Sequence, residues 1–447
     1  MNARHFALLS VLATLGLACT STASWWTDGL IGNTTPEDPA IACPLAIPAD
    51  TLADRRAACA FGAGASVHDT LGLAADVPAR IPIRHVIVLM KENRSFDHIL
   101  GRLHDQGQPG VEAIPADFVN RDLNHVAVPP TPATTTCDDQ DPEHGWTAMH
   151  AMVNNGDMDG FVRSAATSTG TDGHLAMSYH DQGDLPFYTW LARTFAIDDR
   201  HFASALTGTY PNRDFLLFGT ADGVRDTGTA VPSDSTPSLF GAIEKAGYTW
   251  MAYSDGSPLS GALGWGADHA GVGRFGDLLA ALDAGTLPNV AFVDGIDDKQ
   301  DDHPFADLQE GEAWVRQIYD HAVASPQWPR LAIVWTYDEC GGFADHVPPP
   351  LACVARPIPL DLDFIELGPR VPLVVISPYS RPNFVSHVVE DHTAITRFIE
   401  AVFDLPALTA RDANSAALLD LLDFGCTPPM LHPPAPPATG TGGCLGG

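Results

Sequence analysis

The feature that most constrains the fold of this chain is a series of short, continuous apolar runs that alternate with helical patterns. Five runs have the length of a β-strand, at residues 85–90, 249–254, 289–294, 330–337 and 370–377. Such runs are typical of strands covered on both faces, as in a parallel sheet. Helical patterns lie between them, at residues 186–195, 312–325 and 391–405. The alternation predicts one large α/β domain with a mostly parallel central sheet flanked by helices.

Acidic, amide and imidazole side chains directly follow three of these runs. Glu92 and Asn93 follow the first run, and Asp338 and Glu339 follow the fourth. An acidic stretch with His303 follows the third. Ligands of open α/β sheets bind beyond the carboxyl ends of the strands, and this donor set suits Ca²⁺, Mg²⁺ or Mn²⁺, or Zn²⁺ or iron where imidazole joins. The alternative is that acids end these strands only as turn and helix caps.

Two further segments carry candidate chemistry. In residues 205–223, small residues and two threonines precede a proline, and residues 214–220 are predicted to begin a helix. A hydroxyl at a helix N-terminus is either an N-cap or a nucleophile whose phosphorylated form the helix stabilises, and the residues leave both readings open. His144 follows an acidic run and precedes Trp146. It is either an acid/base or phosphate contact, or a surface or packing residue.

The chain is strongly acidic, with 24 Lys and Arg residues against 55 Asp and Glu residues. Its formal net charge is −31 and its pI is near 4.6. Sequence-independent binding to nucleic acid or anionic lipid needs a basic surface, so we expect no nucleic-acid partner. The charge suits an exported protein that its surface keeps soluble.

The N-terminus has the layout of a secretory signal peptide. Arg4 and His5 precede an apolar run at residues 6–18, which is too short to span a bilayer comfortably. We therefore predict a signal peptide over residues 1–24 and an exported protein that is periplasmic, secreted or an outer-envelope lipoprotein. The last option depends on Cys19 as an alternative lipidation site.

The remaining regions are an irregular N-terminal segment at 25–80, one domain at 81–425 and a Pro/Gly-rich tail at 426–447. Seven cysteines follow the predicted signal peptide. In an exported protein some of them are expected to form disulfides. Nearness in sequence favours the pairs Cys43–Cys59, Cys340–Cys353 and Cys426–Cys444.

An ordered set of motifs, from about residue 82 to 405, resembles the bacterial phosphoesterase family. The motifs are HVIVLMKENRSFDHILG, DPEHGW, NNGDMDGFV, LPFYTWLARTFAIDDRHFAS, TGTYPNRDFLLFGT, VWTYDECGGFADHVPPP, LGPRVPLVVISPYSR and EDHTAITRFIE. That family contains phospholipases C acting on phosphatidylcholine and sphingomyelin, and certain secreted acid phosphatases. The resemblance implies an alkaline-phosphatase-like fold.

The resemblance also implies a role for each candidate residue. Glu92, Asn93, Asp338 and Glu339 match the positions that hold one divalent metal ion in the family. Thr209, just before the PNR motif, matches the family's nucleophile and would also contact the metal. Some members have Ser at this position.

Three histidines have implied roles of a looser kind. His144 and His303 would contact the phosphoryl group or act as acid/base groups. His346 is a further candidate for which a structural role is an equal alternative.

These inferences predict an exported, metal-dependent phosphoric ester hydrolase that acts through a phospho-threonine intermediate. With only about 40 residues after residue 405, the chain lacks room for the extra C-terminal β domains common in the family's phospholipases C, which favours a phosphomonoesterase or phosphodiesterase of acid phosphatase type. The alternative is a phospholipase C that cleaves phosphatidylcholine-like lipids, and a remote alternative is a non-catalytic acidic envelope binding protein. The substrate would be a small phosphate ester or a phospholipid headgroup, with membrane-surface contact only if the protein is lipidated or cleaves lipid.

Overall fold

The computed structural model describes residues 44–226, 236–256, 271–355 and 364–441. The strands in these ranges are β1 (His85–Lys91), β2 (Asn120–Arg121), β3 (Ala127–Val128), β4 (Thr131–Pro132), β5 (Ser178–Tyr179), β6 (Ala196–Asp198), β7 (His201–Phe202), β8 (Trp250–Tyr253), β9 (Val272–Gly273), β10 (Val290–Val293), β11 (Leu331–Tyr337), β12 (Leu373–Ile376), β13 (Phe384–Ser386) and β14 (Glu390–Asp391). The α-helices are α1 (Ala53–Ala57), α2 (Val67–Leu71), α3 (Val77–Arg80), α4 (Phe96–Leu100), α5 (Trp146–Val153), α6 (Phe161–Thr169), α7 (Pro186–Thr194), α8 (Thr209–Phe218), α9 (Leu239–Lys245), α10 (Phe275–Ala284), α11 (Leu308–Ala324), α12 (His392–Phe403) and α13 (Ala410–Ala413).

The central sheet has eight strands in the order β13–β6–β12–β11–β1–β10–β8–β9. Its pairings are parallel except for the two that β12 makes, with β11 and with β6. The predicted α/β class with a mostly parallel sheet is therefore confirmed. The five apolar runs form β1, β8, β10, β11 and β12, and the three helical patterns form α7, α11 and α12.

Side chains of the central strands alternate between two apolar layers. On β1, Val86, Val88 and Met90 lie in the layer that contains α12, whereas Ile87 and Leu89 lie in the layer that contains α7 and α11. A strand sends successive side chains to opposite faces, so a strand covered by helices on both sides must be apolar throughout. This explains why the central runs lack polar residues until the strand ends.

The segment predicted to be irregular, residues 25–80, contains the short helices α1, α2 and α3 in its described part. Val67, Leu73 and Val77 are buried in the α12 layer of the core. The signal peptide predicted at residues 1–24, with Cys19, lies outside the described residues. Among the helices that the structure describes, none combines the length and the apolar character needed to cross a membrane.

The disulfides correct the predicted pairing. Cys59 bonds to Cys353, with Cα atoms 5.6 Å apart, and Cys340 is a buried free cysteine. Cys137 and Cys426 are also disulfide-bonded. The predicted Cys43–Cys59 and Cys340–Cys353 pairs are therefore wrong, because tertiary packing brings residues 294 positions apart into bonding distance. Cys444, the predicted partner of Cys426, lies outside the described ranges.

Candidate active site

The carboxyl ends of β1 and β11 bring together the four residues predicted to hold a metal. The two strands are parallel neighbours in register up to their last residues, so the residues that follow them meet at one edge of the sheet. The backbone N–H of Asn93 donates to Asp338 Oδ1 at 3.1 Å, and the N–H of Glu339 donates to the same oxygen at 2.8 Å. Glu92 is 8% exposed, and the other three residues are fully buried.

A close approach of two loops fixes these residues. Asn93 has a left-handed backbone, with φ of 65°, and Gly341 has φ of 60°. A Cβ atom on Gly341 would lie 2.2 Å from the carbonyl oxygen of Asn93, which is far inside contact distance. Glycine is therefore required at this position, where the loop after β11 packs against the loop after β1.

Arg213 links this edge of the sheet to α8, and its role was missed from the sequence. Its guanidinium lies 3.3 Å from Glu92 Oε1, 3.4 Å from Asp338 Oδ2 and 2.9 Å from Asp294 Oδ1. Asp294 follows β10, the strand on the other side of β1. The signal was present in the PNR motif, but the contacts depend on how α8 is oriented toward the sheet.

Thr209 is the first residue of α8 and is 7% exposed. The N-cap of the helix is Gly208, whose extended backbone precedes the first turn, so the Thr209 hydroxyl is not the cap. The helix begins five residues before its predicted start at residue 214. Because Arg213 lies one turn after Thr209, the two residues share the helix face that meets the carboxylates. The dipole of the helix terminus also favours an anion there.

His144 lies beside the same carboxylates. Its Nδ1 is 2.7 Å from the carbonyl oxygen of Pro142, and since a carbonyl only accepts, Nδ1 carries a proton. In the neutral ring Nε2 is then an acceptor; it lies 3.2 Å from the Asn93 Nδ2 donor and 3.8 Å from Glu339 Oε1. This tautomer directs the basic nitrogen into the site.

His303, in the loop after β10, faces His144. The two ring centroids are 6.1 Å apart, and donor atoms of both histidines and of Asp141 lie within 4.8 Å of one another. The Nδ1 atom of His303 donates to the carbonyl oxygen of Pro304 at 3.0 Å. The structure thus brings both predicted histidines to one side of the carboxylate cluster.

His346 lies elsewhere, in a cluster that we call the Arg370 brace and that consists of Asp97, Asp345, His346 and Arg370. Arg370 is fully buried, with Nη2 3.0 Å from Asp97 Oδ1 and Nε 2.9 Å from Asp345 Oδ1. His346 Nδ1 is 2.7 Å from Asp97 Oδ2. These contacts tie the loops after β1 and β11 together and support the structural alternative for His346.

The carboxylates of the site are poorly neutralised. Burial, with the nearby charge of Asp338, raises the pKa of Glu92 well above its usual range, although Arg213 opposes the change. Burial and Asp338 likewise raise the pKa of Glu339, and the Gly341 amide opposes it. Three carboxylates, those of Glu92, Asp338 and Asp294, share the guanidinium of Arg213. The cluster therefore has excess negative charge in a buried setting.

Two buried oxygen atoms at this edge point to a ligand. Asn93 Oδ1 and Glu339 Oε1 have no hydrogen-bond partner among the described residues. A buried acceptor without a partner is costly, and most such atoms in native proteins bind water or an ion. Carboxylate and amide oxygens with excess negative charge fit a divalent cation, so the residues present suit the predicted metal.

Comparisons with known proteins identify the family of this chain. The sequence profile of the phosphoesterase family matches residues 83–406. Non-specific phospholipase C1 of Arabidopsis thaliana is 31% identical over 372 residues, which are 74% of this chain and 69% of that protein. Phospholipase C A of Mycobacterium tuberculosis is 30% identical over 418 residues, covering 78% of this chain and 79% of that protein. Non-hemolytic phospholipase C of Burkholderia pseudomallei is 28% identical over 394 residues, which are 72% of this chain and 55% of that protein.

Solved structures resemble the chain more distantly. Phosphonate monoester hydrolase of Agrobacterium radiobacter aligns with 76% of this chain and 77% of its own, at 11% identity and a TM-score of 0.38. An alkaline phosphatase superfamily protein from Vibrio parahaemolyticus aligns with 71% of this chain and 78% of its own, at 9% identity and a TM-score of 0.34. Similarity of this size supports no conclusion about function, and the fold class rests on the strand order of the sheet itself.

The ordered motifs, the profile match and the relatives all lead to one class of protein. The match covers both strand-end loops, the start of α8 and the two separate segments that carry His144 and His303. It does not suit the remote alternative of a non-catalytic envelope binding protein. The chain belongs to the phosphoesterase family and is a hydrolase that acts on phosphate esters.

Proposed function

We propose that this protein is an exported, metal-dependent phospholipase C that cleaves phosphodiesters through a phospho-threonine intermediate at Thr209. The observation that carries the proposal is the position of the unpartnered oxygens of Asn93 and Glu339. They lie in the cluster that Arg213 joins to the N-terminus of α8. A metal-binding edge and an anion-binding helix terminus would then meet near the Thr209 hydroxyl.

The metal would be held by Glu92, Asn93, Asp338 and Glu339, with Thr209 in contact. A bound divalent cation would lower the pKa of the Thr209 hydroxyl and neutralise charge on the phosphoryl oxygens. Carboxylate and amide oxygens suit Ca²⁺, Mg²⁺ or Mn²⁺, and the neighbouring imidazoles extend the choice to Zn²⁺ or iron. Metal content of the purified protein, and activity after chelation, test this part directly.

In the first step Thr209 Oγ attacks phosphorus, and its proton passes to the acceptor Nε2 of a histidine, which then holds the proton that the leaving alkoxide takes. The bond between phosphorus and the leaving alkoxide breaks, and the phosphoryl group is transferred to the threonine. The N–H groups at the start of α8 would donate to the phosphoryl oxygens, where charge develops.

A histidine would supply the proton that the leaving alkoxide needs. His144 presents Nε2 toward the carboxylate cluster, and His303 faces it across the site. In the second step, water attacks phosphorus, the same histidine takes its proton, and the Thr209 oxygen leaves. A phosphodiester such as phosphatidylcholine would then yield diacylglycerol and phosphocholine.

The relatives favour phospholipase C over the acid phosphatase type, since all three reported above carry that name. The two activities are separated by comparing release of phosphocholine from phosphatidylcholine with release of phosphate from p-nitrophenyl phosphate. We expect the lipid to be the better substrate in kcat/KM. Turnover of the monoester alone would return the assignment to a phosphatase.

The nucleophile is tested by trapping the intermediate. After acid quenching of a reaction, we expect a phosphorylated or phosphocholine-modified peptide that contains Thr209. Thr209→Ala should abolish both the adduct and turnover while leaving the thermal unfolding midpoint unchanged, and Thr209→Ser should retain part of the activity. Full activity in Thr209→Ala would make the assignment wrong.

Export rests on residues 1–24 and on the Cys59–Cys353 disulfide, since such bonds persist in oxidising compartments. N-terminal sequencing of the mature protein would distinguish a soluble exported protein from a lipoprotein. A start near residue 25 indicates a soluble protein, and a blocked, lipidated Cys19 indicates a lipoprotein. A retained Met1 would contradict processing of either kind.

A further inference from the structure

A second group of metal-ligating side chains lies outside the candidate active site. It consists of Asp198, the last residue of β6, His201, the first residue of β7, and Glu390, the first residue of β14. Strand pairing places Glu390 opposite His201. One donor atom from each of the three residues lies within 4.8 Å of the others. We call these three residues the β14 cluster.

The β14 cluster is buried, and four of its polar atoms have no hydrogen-bond partner among the described residues. Asp198 and His201 are 0% exposed and Glu390 is 3% exposed. Within the part of the chain that the structure describes, Asp198 Oδ2, His201 Nδ1 and both carboxylate oxygens of Glu390 lack a hydrogen bond of ordinary geometry. Four unpaired polar atoms at one buried point are far more than packing alone tolerates.

The free nitrogen of His201 follows from a chain of hydrogen bonds. His392 Nε2 is 2.6 Å from the carbonyl oxygen of Asp338, so Nε2 carries a proton. His392 Nδ1 is then an acceptor in the neutral ring, and His201 Nε2 donates to it at 3.3 Å. His201 Nδ1 is therefore left with a lone pair and no proton, beside two carboxylates. Burial, with the nearby His392, lowers the pKa of His201 well below its usual range, which agrees with a neutral ring.

The neighbouring cations are engaged elsewhere. Among the described residues, no ion pair joins a lysine, arginine or histidine to Asp198 or Glu390. The Arg200 guanidinium pairs with Glu112, and that of Arg56 pairs with Asp50. Burial and the mutual charge of these acids and Asp420 raise the pKa of Glu390 well above its usual range, although the Leu418 amide and Arg56 oppose this. The cluster thus has two carboxyl groups and one imidazole nitrogen as donors, with no Lys or Arg ion pair among the described residues.

We propose that Asp198, His201 and Glu390 bind a second divalent cation, separate from the cation of the candidate active site. One imidazole nitrogen with two carboxylates is a mixed donor set that suits Zn²⁺ or Mn²⁺. A divalent charge balances the two carboxylates and gives one donor atom of each of the three residues a partner. Through His201 and His392, the ion would also fix the peptide of Asp338, the residue at the centre of the candidate active site.

Metal stoichiometry tests the proposal on the mature, full-length protein. After dialysis against metal-free buffer, the wild-type protein should retain two ions per chain. Glu390→Gln should retain one, Asp338→Asn should retain the other, and the double variant should retain none. The matched control is Asp76→Asn, which removes an exposed surface carboxylate and should leave both ions bound.

Because each variant removes ligands of one site, failure of either site is recognised separately. Equal metal content in wild type and Glu390→Gln would overturn the β14 site and show that its carboxyls share a proton instead. If Asp338→Asn is the one variant that loses metal, the protein binds the active-site ion and no ion at the β14 cluster, which also overturns the proposal. If Glu390→Gln does not fold, His201→Gln takes its place. X-ray absorption at the metal edge of Asp338→Asn should show one imidazole ligand, and an all-oxygen shell would also overturn the proposal.

Discussion

The loops after β1 and β11 build two acidic clusters that differ in how their charge is balanced. The candidate active site takes the first residues of each loop, and its oxygens on Asn93 and Glu339 remain unpartnered. The Arg370 brace takes residues a little further along, and its guanidinium satisfies both Asp97 and Asp345. The same two segments therefore make one cluster whose carboxylates are paired with an arginine and one in which, among the described residues, two buried oxygens have no hydrogen-bond partner. Acidic composition alone does not distinguish a site from a brace, whereas the hydrogen-bond partners do.

The largest expected difference comes from one chemical change made in each cluster. Asp338→Asn should lower kcat/KM by about 10³-fold or more, because it weakens the electrostatic support of the transition state. Asp345→Asn should keep kcat/KM within about tenfold while it lowers the free energy of unfolding by roughly 2–4 kcal/mol, since it disturbs a buried ion-pair network. Steady-state kinetics and urea unfolding of both variants measure the contrast. Equal losses of activity in two folded variants would mean that the brace belongs to the active site.

Removing the arginine of the brace should cost more stability than removing one carboxylate charge. Arg370→Leu leaves Asp345 buried without its arginine and Asp97 with His346 alone, which typically costs about 3–5 kcal/mol. Arg80→Leu is the control, because Arg80 and Asp76 form a partly exposed pair one helical turn apart, worth about 0.5 kcal/mol or less. Urea unfolding compares the two. A similar small loss in both variants would contradict the bracing role.

Metal binding to the active site should weaken as the pH falls. The pKa values of Glu92 and Glu339 lie well above the usual range in the metal-free site, because of burial and then of Asp338. Each proton that a metal must displace weakens apparent affinity by up to about tenfold per pH unit below that pKa. Calorimetric titration of chelated protein between about pH 5 and pH 8 measures the trend. Affinity that does not change over this range would contradict protonated ligands.

The smallest expected effect is on the pH dependence of stability at the brace. Burial lowers the pKa of His346, but the hydrogen bond and charge of Asp97 outweigh it, so the net pKa is raised. A raised folded-state pKa contributes stability that is fully present below the unfolded value, about 6.5, and is lost as the pH rises through the folded value. The gap in unfolding free energy between wild type and His346→Asn should therefore be larger near pH 6 than near pH 9. A gap that grows with pH would reverse the sign.

Much of the candidate site could be predicted because its key residues end apolar strands. Glu92 and Asp338 follow β1 and β11 directly, and a local run of apolar residues is enough to place a strand end. Arg213 and Asp294 could not be found in this way. Their roles depend on where α8 meets the sheet and on β10 lying beside β1, and neither fact is written in a local pattern.

The sequence by itself determined the α/β class, the five core strands and the residues at their ends, because burial on both faces imposes a local pattern on each strand. Only the tertiary structure decided which polar groups found partners. It placed His346 on Asp97 and Arg370, joined Cys59 to Cys353, and left four polar atoms of the β14 cluster without a partner among the described residues. These outcomes depend on distances between segments hundreds of residues apart, which packing sets and no local pattern records.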